Sequence, residues 1–290
     1  MEYLADVLLG TSGWSYKEWV GPLYNNNTES KLHAYSEVFR TVEIDSTYYA
    51  FPGKGIAMGW KMHTPPGFLF TAKLPKAITH DKKLDLGLGV EVDLRRFVDL
   101  MSPLATSDKL ACLLIQLPPS YKFDPDGLEA FLNILPKNVR FAIEFRNLSW
   151  MREETWPLLA RYNVAYANVD EPLIPPEIHI TTDFSYFRWH GRGSSIWFDY
   201  EYKKEELEPW IPKLKETSGK VKSIFGYFNN HYHGYAVENC LQVMKMLGIA
   251  NELQSQAEKR VEEFRDNPKR LELSRPDRRQ SGLDRFIRGF

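Results

Sequence analysis

Eight times along this 290-residue chain a short apolar run breaks off into polar or charged residues, and amphipathic segments separate the runs. The runs read LLGTSGW, TVEIDSTYY, FLFTAKL, ACLLIQLPPS, RFAIEFRNLSW, VAYANVD, SYFRWHG and SIFGYFNN. A buried strand needs no Glu, Lys, Gln, Arg or His at its end for packing, so these endings constrain the fold more than any single motif does. Parallel neighbours require a crossover, usually a helix. Eight such units within about 250 residues fit a closed (β/α)8 TIM barrel better than an open doubly wound sheet. An open sheet would usually begin with a glycine-rich turn, and GTSGW matches neither GxGxxG nor GxxxxGK[ST]. The expected architecture is an α/β TIM-barrel domain over 1–250 with a charged helical extension over 251–290.

The intervening segments carry helical period. Leu32, Tyr35 and Phe39 recur on one face, as do Leu94, Phe97 and Met101. Leu128, Phe131, Leu132 and Leu135 form a stripe ending at Pro136; Leu207, Trp210, Ile211 and Leu214 form another, and Val237, Cys240, Leu241, Met244 and Leu247 a third. These are packing faces. A net charge of -1 argues against a polyanion-binding field over the whole surface. The stretch 268–290 is the exception, with seven Lys/Arg against three Asp/Glu; it reads as a solvated tail docked on the barrel, with a nucleic-acid or partner contact as the alternative. Cys112 and Cys240 lie in apolar settings with no metal-ligand spacing and read as buried reduced thiols. No run reaches the roughly 18 apolar residues that span a bilayer, and the acidic start MEYLADV is unlike a signal peptide. The expectation is a soluble cytoplasmic protein without a membrane partner.

Alternate residues of a strand share a face. In FAIEFRN the apolar face is Phe141, Ile143 and Phe145, which turns Glu144 and Arg146 into the barrel. The same argument turns Glu43 and Asp45 inward beside Val42 and Ile44, sets Gln116 against Ile115 and Leu117, and pairs Arg188 with His190. Asn168 and Asp170 share a face after YANV. Barrel sites lie at the carboxyl ends of the strands, so the expected mouth holds Glu43, Asp45, Glu144 and Asp170 against Lys73, Arg146 and Arg188, with His80, His190 and His231 nearby. Cations there favour a phosphate- or carboxylate-bearing ligand. Carboxylates and histidines supply proton transfer once burial moves their pKa values. Glu43 and Glu144 are the expected acid–base pair, with His80 and His190 as further proton carriers. An internal salt-bridge network is the alternative for the same residues. A divalent metal held by Glu43, Glu144, Asp170 and one of His80, His190 or His231 is also open, although no HExxH spacing supports it and the one HxH pair, His231 and His233, can turn one ring to the mouth and the other to solvent. Ser12 and Ser46 flank strand ends without a GxSxG elbow. Trp14, Tyr16, Trp19, Tyr48 and Tyr49 suit either a stacked ligand ring or a plug over the barrel.

The segments GTSGWSY, VEIDSTYY, LPKAITH, QLPPS, EFRNLSW, FRWHG and YFNNHYHGYA, in this order from about Leu8 to Leu247, make the chain resemble the domain-of-unknown-function-72 family (YecE-like proteins). The resemblance implies a TIM barrel and carries no established reaction. Its motif positions fall on Trp14, Glu43, Ser46, Lys73, His80, Gln116, Glu144, Arg146, Asp170, Arg188, His190, Asn229 and Asn230. Many members read NND at the last motif, where this chain has His231. The leading functional reading is a barrel enzyme, a hydrolase or isomerase, acting by acid–base chemistry on a small anionic or sugar-like metabolite. Trp14, Ser46, Lys73, Gln116, Arg146, Asp170, Arg188, Asn229 and Asn230 would contact that ligand. The alternatives are a nucleic-acid-processing or nucleic-acid-binding protein assisted by 268–290, and a non-catalytic ligand-binding scaffold. The sequence defines neither a cofactor nor an oligomeric state.

Overall fold

The computed structural model describes residues 5–25 and 30–266. Its strands are β1 (Asp6–Thr11), β2 (Thr41–Ile44), β3 (Leu69–Lys73), β4 (Leu110–Gln116), β5 (Phe141–Glu144), β6 (Val164–Asp170), β7 (Phe184–Trp189) and β8 (Ser223–Phe228). All pairings are parallel, in the order β1-β8-β7-β6-β5-β4-β3-β2. Helices α1 (Lys31–Val38), α2 (Ile56–Met62), α3 (Val90–Ala105), α4 (Pro125–Asn133), α5 (Thr155–Arg161), α6 (Lys204–Leu207), α7 (Trp210–Ser218) and α8 (Tyr235–Leu247) surround it. A further helix, α9 (Glu252–Arg265), packs against α8 and α1. This is an α/β TIM barrel. One unit departs from the expected alternation: no helix lies between β6 and β7, which 171–183 joins directly. No helix among the described residues is long and apolar enough to cross a membrane.

Local sequence accounts for the elements. Helix α3 buries Val90, Leu94, Phe97, Met101 and Leu104 on one stripe, each full burial contributing about 1.5–3 kcal/mol. Helix α4 starts where Asp124 accepts from the Gly127 amide, with Pro125 in the first turn. The expected single stripe over Leu207–Leu214 is split into α6 and α7 around Pro209. Asn251 and Gln254 form the capping box of α9. Small and apolar side chains fill the barrel, among them Leu8, Cys112, Leu114, Ala142, Ala165, Ala167, Phe184 and Phe225. Both cysteines are free and buried.

The ring closes at β1–β2 with little ladder: a single bridge joins Ser12 to Glu43. Below that bridge a side chain occupies the seam. The Tyr35 hydroxyl of α1 accepts from the Thr11 amide at 2.9 Å and donates to the Thr41 carbonyl at 3.1 Å. A Cβ at Gly10 would stand 2.3 Å from that carbonyl, so the close approach requires glycine. Tyr35→Phe is therefore expected to strand two buried backbone groups and cost about 1–3 kcal/mol. Urea unfolding measures this, and a loss within a few tenths of a kcal/mol would contradict the bridging role.

Candidate active site

Register decides which side chains enter the mouth. In parallel pairs, registered residues share a face: Leu8 with Phe225, Glu43 with Thr71, Gln116 with Glu144 and Tyr186 with Ala167. Continuing upward brings Asp45, Lys73, Arg146, His190 and Asn229 to the carboxyl end of the barrel.

The innermost tier is a closed ion network. Glu43, Glu144 and Arg188 are each at most 1% exposed. Arg188 donates at 2.6 Å from Nη2 to Glu43 Oε1 and at 2.6 Å from Nη1 to Glu144 Oε2. Glu43 also accepts at 2.6 Å from the hydroxyls of Ser12 and Tyr186. Arg146 Nε donates to the other oxygen of Glu144. Burial alone would raise the Glu144 carboxyl, but Arg146 and Arg188, with a smaller contribution from His190, hold it well below the usual range. Each oxygen of both glutamates thus already accepts a hydrogen bond from the protein. This geometry does not favour them as the acid–base pair; it makes them holders of two guanidiniums. Ser12 is likewise occupied as a donor to Glu43 rather than poised as a nucleophile.

The tier above reaches solvent. Asp45, Lys73, His80, Gln116, Arg146 and Asn229 are all partly exposed. Arg146 is fixed on three sides, by Glu144, by Nη2 to His190 Nε2 at 3.0 Å and by Nη1 to Glu171 Oε2 at 3.4 Å. It lies 5.6 Å from the Trp197 ring centre. Burial, then the Arg146 charge, lowers His190 well below the usual histidine range, so a neutral ring accepts from arginine. His190 positions Arg146. The Asn229 amide stands 3.0 Å from its other ring nitrogen. Lys73 Nζ donates to Gln116 Oε1 at 2.6 Å and sits over the Tyr48 ring. Burial, reinforced by Arg188, lowers this amine to about 8 despite Glu43 and Glu144. Burial raises the Asp45 carboxyl, which lies 3.2 Å from the Tyr16 hydroxyl. His80, in the π-turn Ala77–Asp81, bonds Thr79 and is lowered to about 4 by burial and by Lys73. His231 stacks on Tyr16 at the rim and is lowered to about 4, chiefly by burial.

Four expected ligand contacts lie elsewhere. Asp170 faces outward, because Ala167 and Val169 take the interior positions of β6 in register with Tyr186 and Arg188. Its carboxylate instead accepts from Arg192 Nε at 2.7 Å and from Trp210 Nε1 at 3.0 Å, tying α7 to the barrel. Asn230 is buried against the Tyr200 carbonyl and Asn239. Ser46 is exposed in the turn after β2. Trp14 packs edge-on against Trp60 of α2. The acid that does enter is Glu171, one residue beyond Asp170; the small interior pair Ala165 and Ala167 was the signal for that register. Among the described residues no three His, Cys, Asp or Glu side chains gather as metal ligands. The segment 268–290, with the nucleic-acid expectation it carried, lies outside the described residues.

Glu171 has an effect measurable on its own. Burial raises its carboxyl to about 7 although Arg146 opposes the shift, and Oε1 is buried without a hydrogen-bond partner. A carboxyl raised on folding binds more protons in the native state than in the unfolded one. Stability should therefore fall as pH rises from about 4.5 to about 7, by on the order of 3 kcal/mol, and level off above. Glu171→Gln should flatten this step in urea unfolding at several pH values; an unchanged pH profile would refute the assignment.

Comparison with known proteins agrees with the fold. A family model described as "Protein of unknown function DUF72" matches residues 8–263. UPF0759 protein YunF of Bacillus subtilis (strain 168) is 27% identical over 270 residues, covering 84% of this chain and 95% of that protein. UPF0759 protein YecE of Escherichia coli (strain K12) is 30% identical over 148 residues, 49% of this chain and 48% of that protein. The crystal structure of a DUF72 family protein from Thermotoga maritima is 35% identical with a TM-score of 0.75, covering 84% of this chain and 99% of that one.

Proposed function

The chain belongs to the DUF72 family, and from its mouth we propose that it is a barrel enzyme that takes a small anionic metabolite on Arg146 and moves protons on it. The observation carrying this reading is the division of labour between the two guanidiniums. Arg188 is sequestered between Glu43 and Glu144. Arg146 is locked in place by Glu144 and His190 yet, like its neighbour Lys73, is not fully buried. A guanidinium has five N–H donors in a planar fork, and three protein groups engage Arg146. A fixed arginine with donors to spare suits bidentate capture of carboxylate or phosphate.

Proton transfer falls to the accessible groups rather than to the ion-paired glutamates below. Asp45 and Lys73 are neighbours in register, each one residue past the paired Ile44 and Ala72. Burial raises the Asp45 carboxyl and lowers the Lys73 amine. Both shifts move these groups toward neutral pH, where general acids and bases work best. Isomerases and hydrolases use this kind of transfer.

The test starts from a thermal-shift screen of small phosphates and carboxylates. The hit is then incubated with the protein in deuterated water. Turnover or solvent deuterium in the recovered compound is expected, and Asp45→Asn should slow either by at least about a hundredfold while binding persists. A compound that binds and returns unchanged and unlabelled would make the protein a scaffold. Selective binding of neutral sugars alone would also overturn the anion reading.

A further inference from the structure

Among the described residues several lysines bond only neutral oxygens, Lys31, Lys109 and Lys213 through backbone carbonyls, but Lys73 does so inside the barrel mouth beside two guanidiniums. Lys82, Lys220, Lys222 and Lys245 each meet a carboxylate, from Asp93, Glu216, Asp183 and Glu258 respectively. Lys73 ends β3 facing the interior, and its partner is the neutral Gln116 amide oxygen at 2.6 Å. Among the described residues no carboxylate oxygen lies within the 4.0 Å of an ion pair with it. Of the acids around the amine, Glu43 is committed to Arg188 and Glu144 to Arg188 and Arg146, while Asp45, whose carboxyl burial raises, interacts with it from beyond ion-pair distance. Arg188 also reaches the same Gln116 oxygen, at 3.5 Å, so a second cation competes for the lysine's acceptor. An aromatic face, Tyr48, stands 4.7 Å from the amine.

We propose that Lys73 is a nucleophile that forms an imine with a small aldehyde or ketone carrying a carboxylate or phosphate. The proposal rests on the reading that Arg146 takes the anionic end and adds the covalent step and the carbonyl class of the substrate. A lysine held for structure, as Lys109 is, has its donors filled by several protein oxygens, whereas the acceptor on Lys73 is the single Gln116 amide oxygen, shared with Arg188. Nucleophilic lysines are made by desolvation beside a second cation. Lowered to about 8, the amine is neutral in about a tenth of molecules near pH 7.

The step balances without any oxidant or reductant. The Nζ lone pair attacks the carbonyl carbon, and the nitrogen gives up a proton that the carbonyl oxygen takes, leaving a neutral carbinolamine with its nitrogen lone pair restored. Asp45, next in register, supplies a proton to that hydroxyl. The C–O bond then breaks, water leaves, and the nitrogen lone pair closes the C=N bond. The product is a protonated imine, which can act as an electron sink for proton removal at the adjacent carbon. The Tyr48 face shields it on one side.

Borohydride trapping tests this on the full-length protein. Glyoxylate and glycolaldehyde phosphate serve as probes at neutral pH, sodium borohydride reduces any imine to a stable secondary amine, and peptide mapping locates it. Lys73 should be modified at least roughly tenfold faster than exposed lysines such as Lys83 and Lys122. Arg146→Ala should slow that labelling, and added inorganic phosphate should compete with it. Lys73→Arg, checked for folding by circular dichroism, should lose the fast adduct. Labelling of Lys73 no faster than of exposed lysines overturns the proposal. If phosphate still stabilises the wild type and not Arg146→Ala, only the imine step is wrong. If phosphate has no effect on either, the anion reading fails with it.

Discussion

Arg188→Met is expected to destabilise the protein by about 3–5 kcal/mol, the range for removing one partner of a buried ion network. The guanidinium is 1% exposed and bridges Glu43 and Glu144, residues from strands on opposite parts of the barrel. Without it, Glu43 retains only the hydroxyls of Ser12 and Tyr186, which cannot balance a full charge. Glu144 retains Arg146 and so suffers less. The two effects can be separated by a double-mutant cycle. Adding Glu43→Gln to Arg188→Met should recover part of the loss, because an uncompensated charge is removed. Urea unfolding of the single and double variants measures both. A loss below about 1 kcal/mol in the single variant, typical of exposed pairs, would show that this tier is not the structural floor of the site.

The barrel was legible because its two signals are local. Polar strand ends and apolar stripes each depend on residues a few positions apart, and both survive tertiary context. The absent helix between β6 and β7 was masked by length, since 171–183 is long enough for a crossover; its three prolines, Pro172, Pro175 and Pro176, are the local signal against one. Facing was legible where one side of a strand was plainly apolar, as for Glu43 and Glu144, and less so for Arg188, whose neighbours Phe187 and Trp189 are bulky aromatics. It failed on VAYANVD, where Tyr166 and Asn168 alternate with alanines. There the narrow interior selects the small residues and turns Asp170 out to meet Trp210 and Arg192. The functional division between tiers lay beyond the sequence. That Glu43 and Glu144 are tied into an ion network depends on contacts with Arg188, 145 and 44 positions away along the chain.

The second large effect is on binding. Arg146→Ala should weaken capture of a small phosphate or carboxylate by about 1.5–3 kcal/mol, roughly ten- to a hundredfold. Glu144 keeps Arg188 in that variant, so folding should suffer far less than in Arg188→Met. Arg146→Lys should rescue little, because an ammonium cannot contact Glu144, Glu171 and His190 at once while offering a fork to the ligand. Calorimetric titration with the best ligand from the screen checks this. Equal affinities for wild type and Arg146→Ala would place the anion elsewhere. Loss of affinity in Arg146→Ala that Arg146→Lys fully restores would mean that charge alone, and not the positioned fork, does the binding.

The central claim is that a fixed, partly exposed Arg146 above a closed ion network receives an anion at the barrel mouth. The most direct measurement is a crystal structure grown with inorganic phosphate or glyoxylate. The account predicts the anion against the Arg146 guanidinium, near Lys73 and Asn229, with Glu43, Glu144 and Arg188 unmoved beneath it. A mouth that instead holds a metal cation on Asp45, Glu144 or Glu171, with no anion at Arg146, would contradict it.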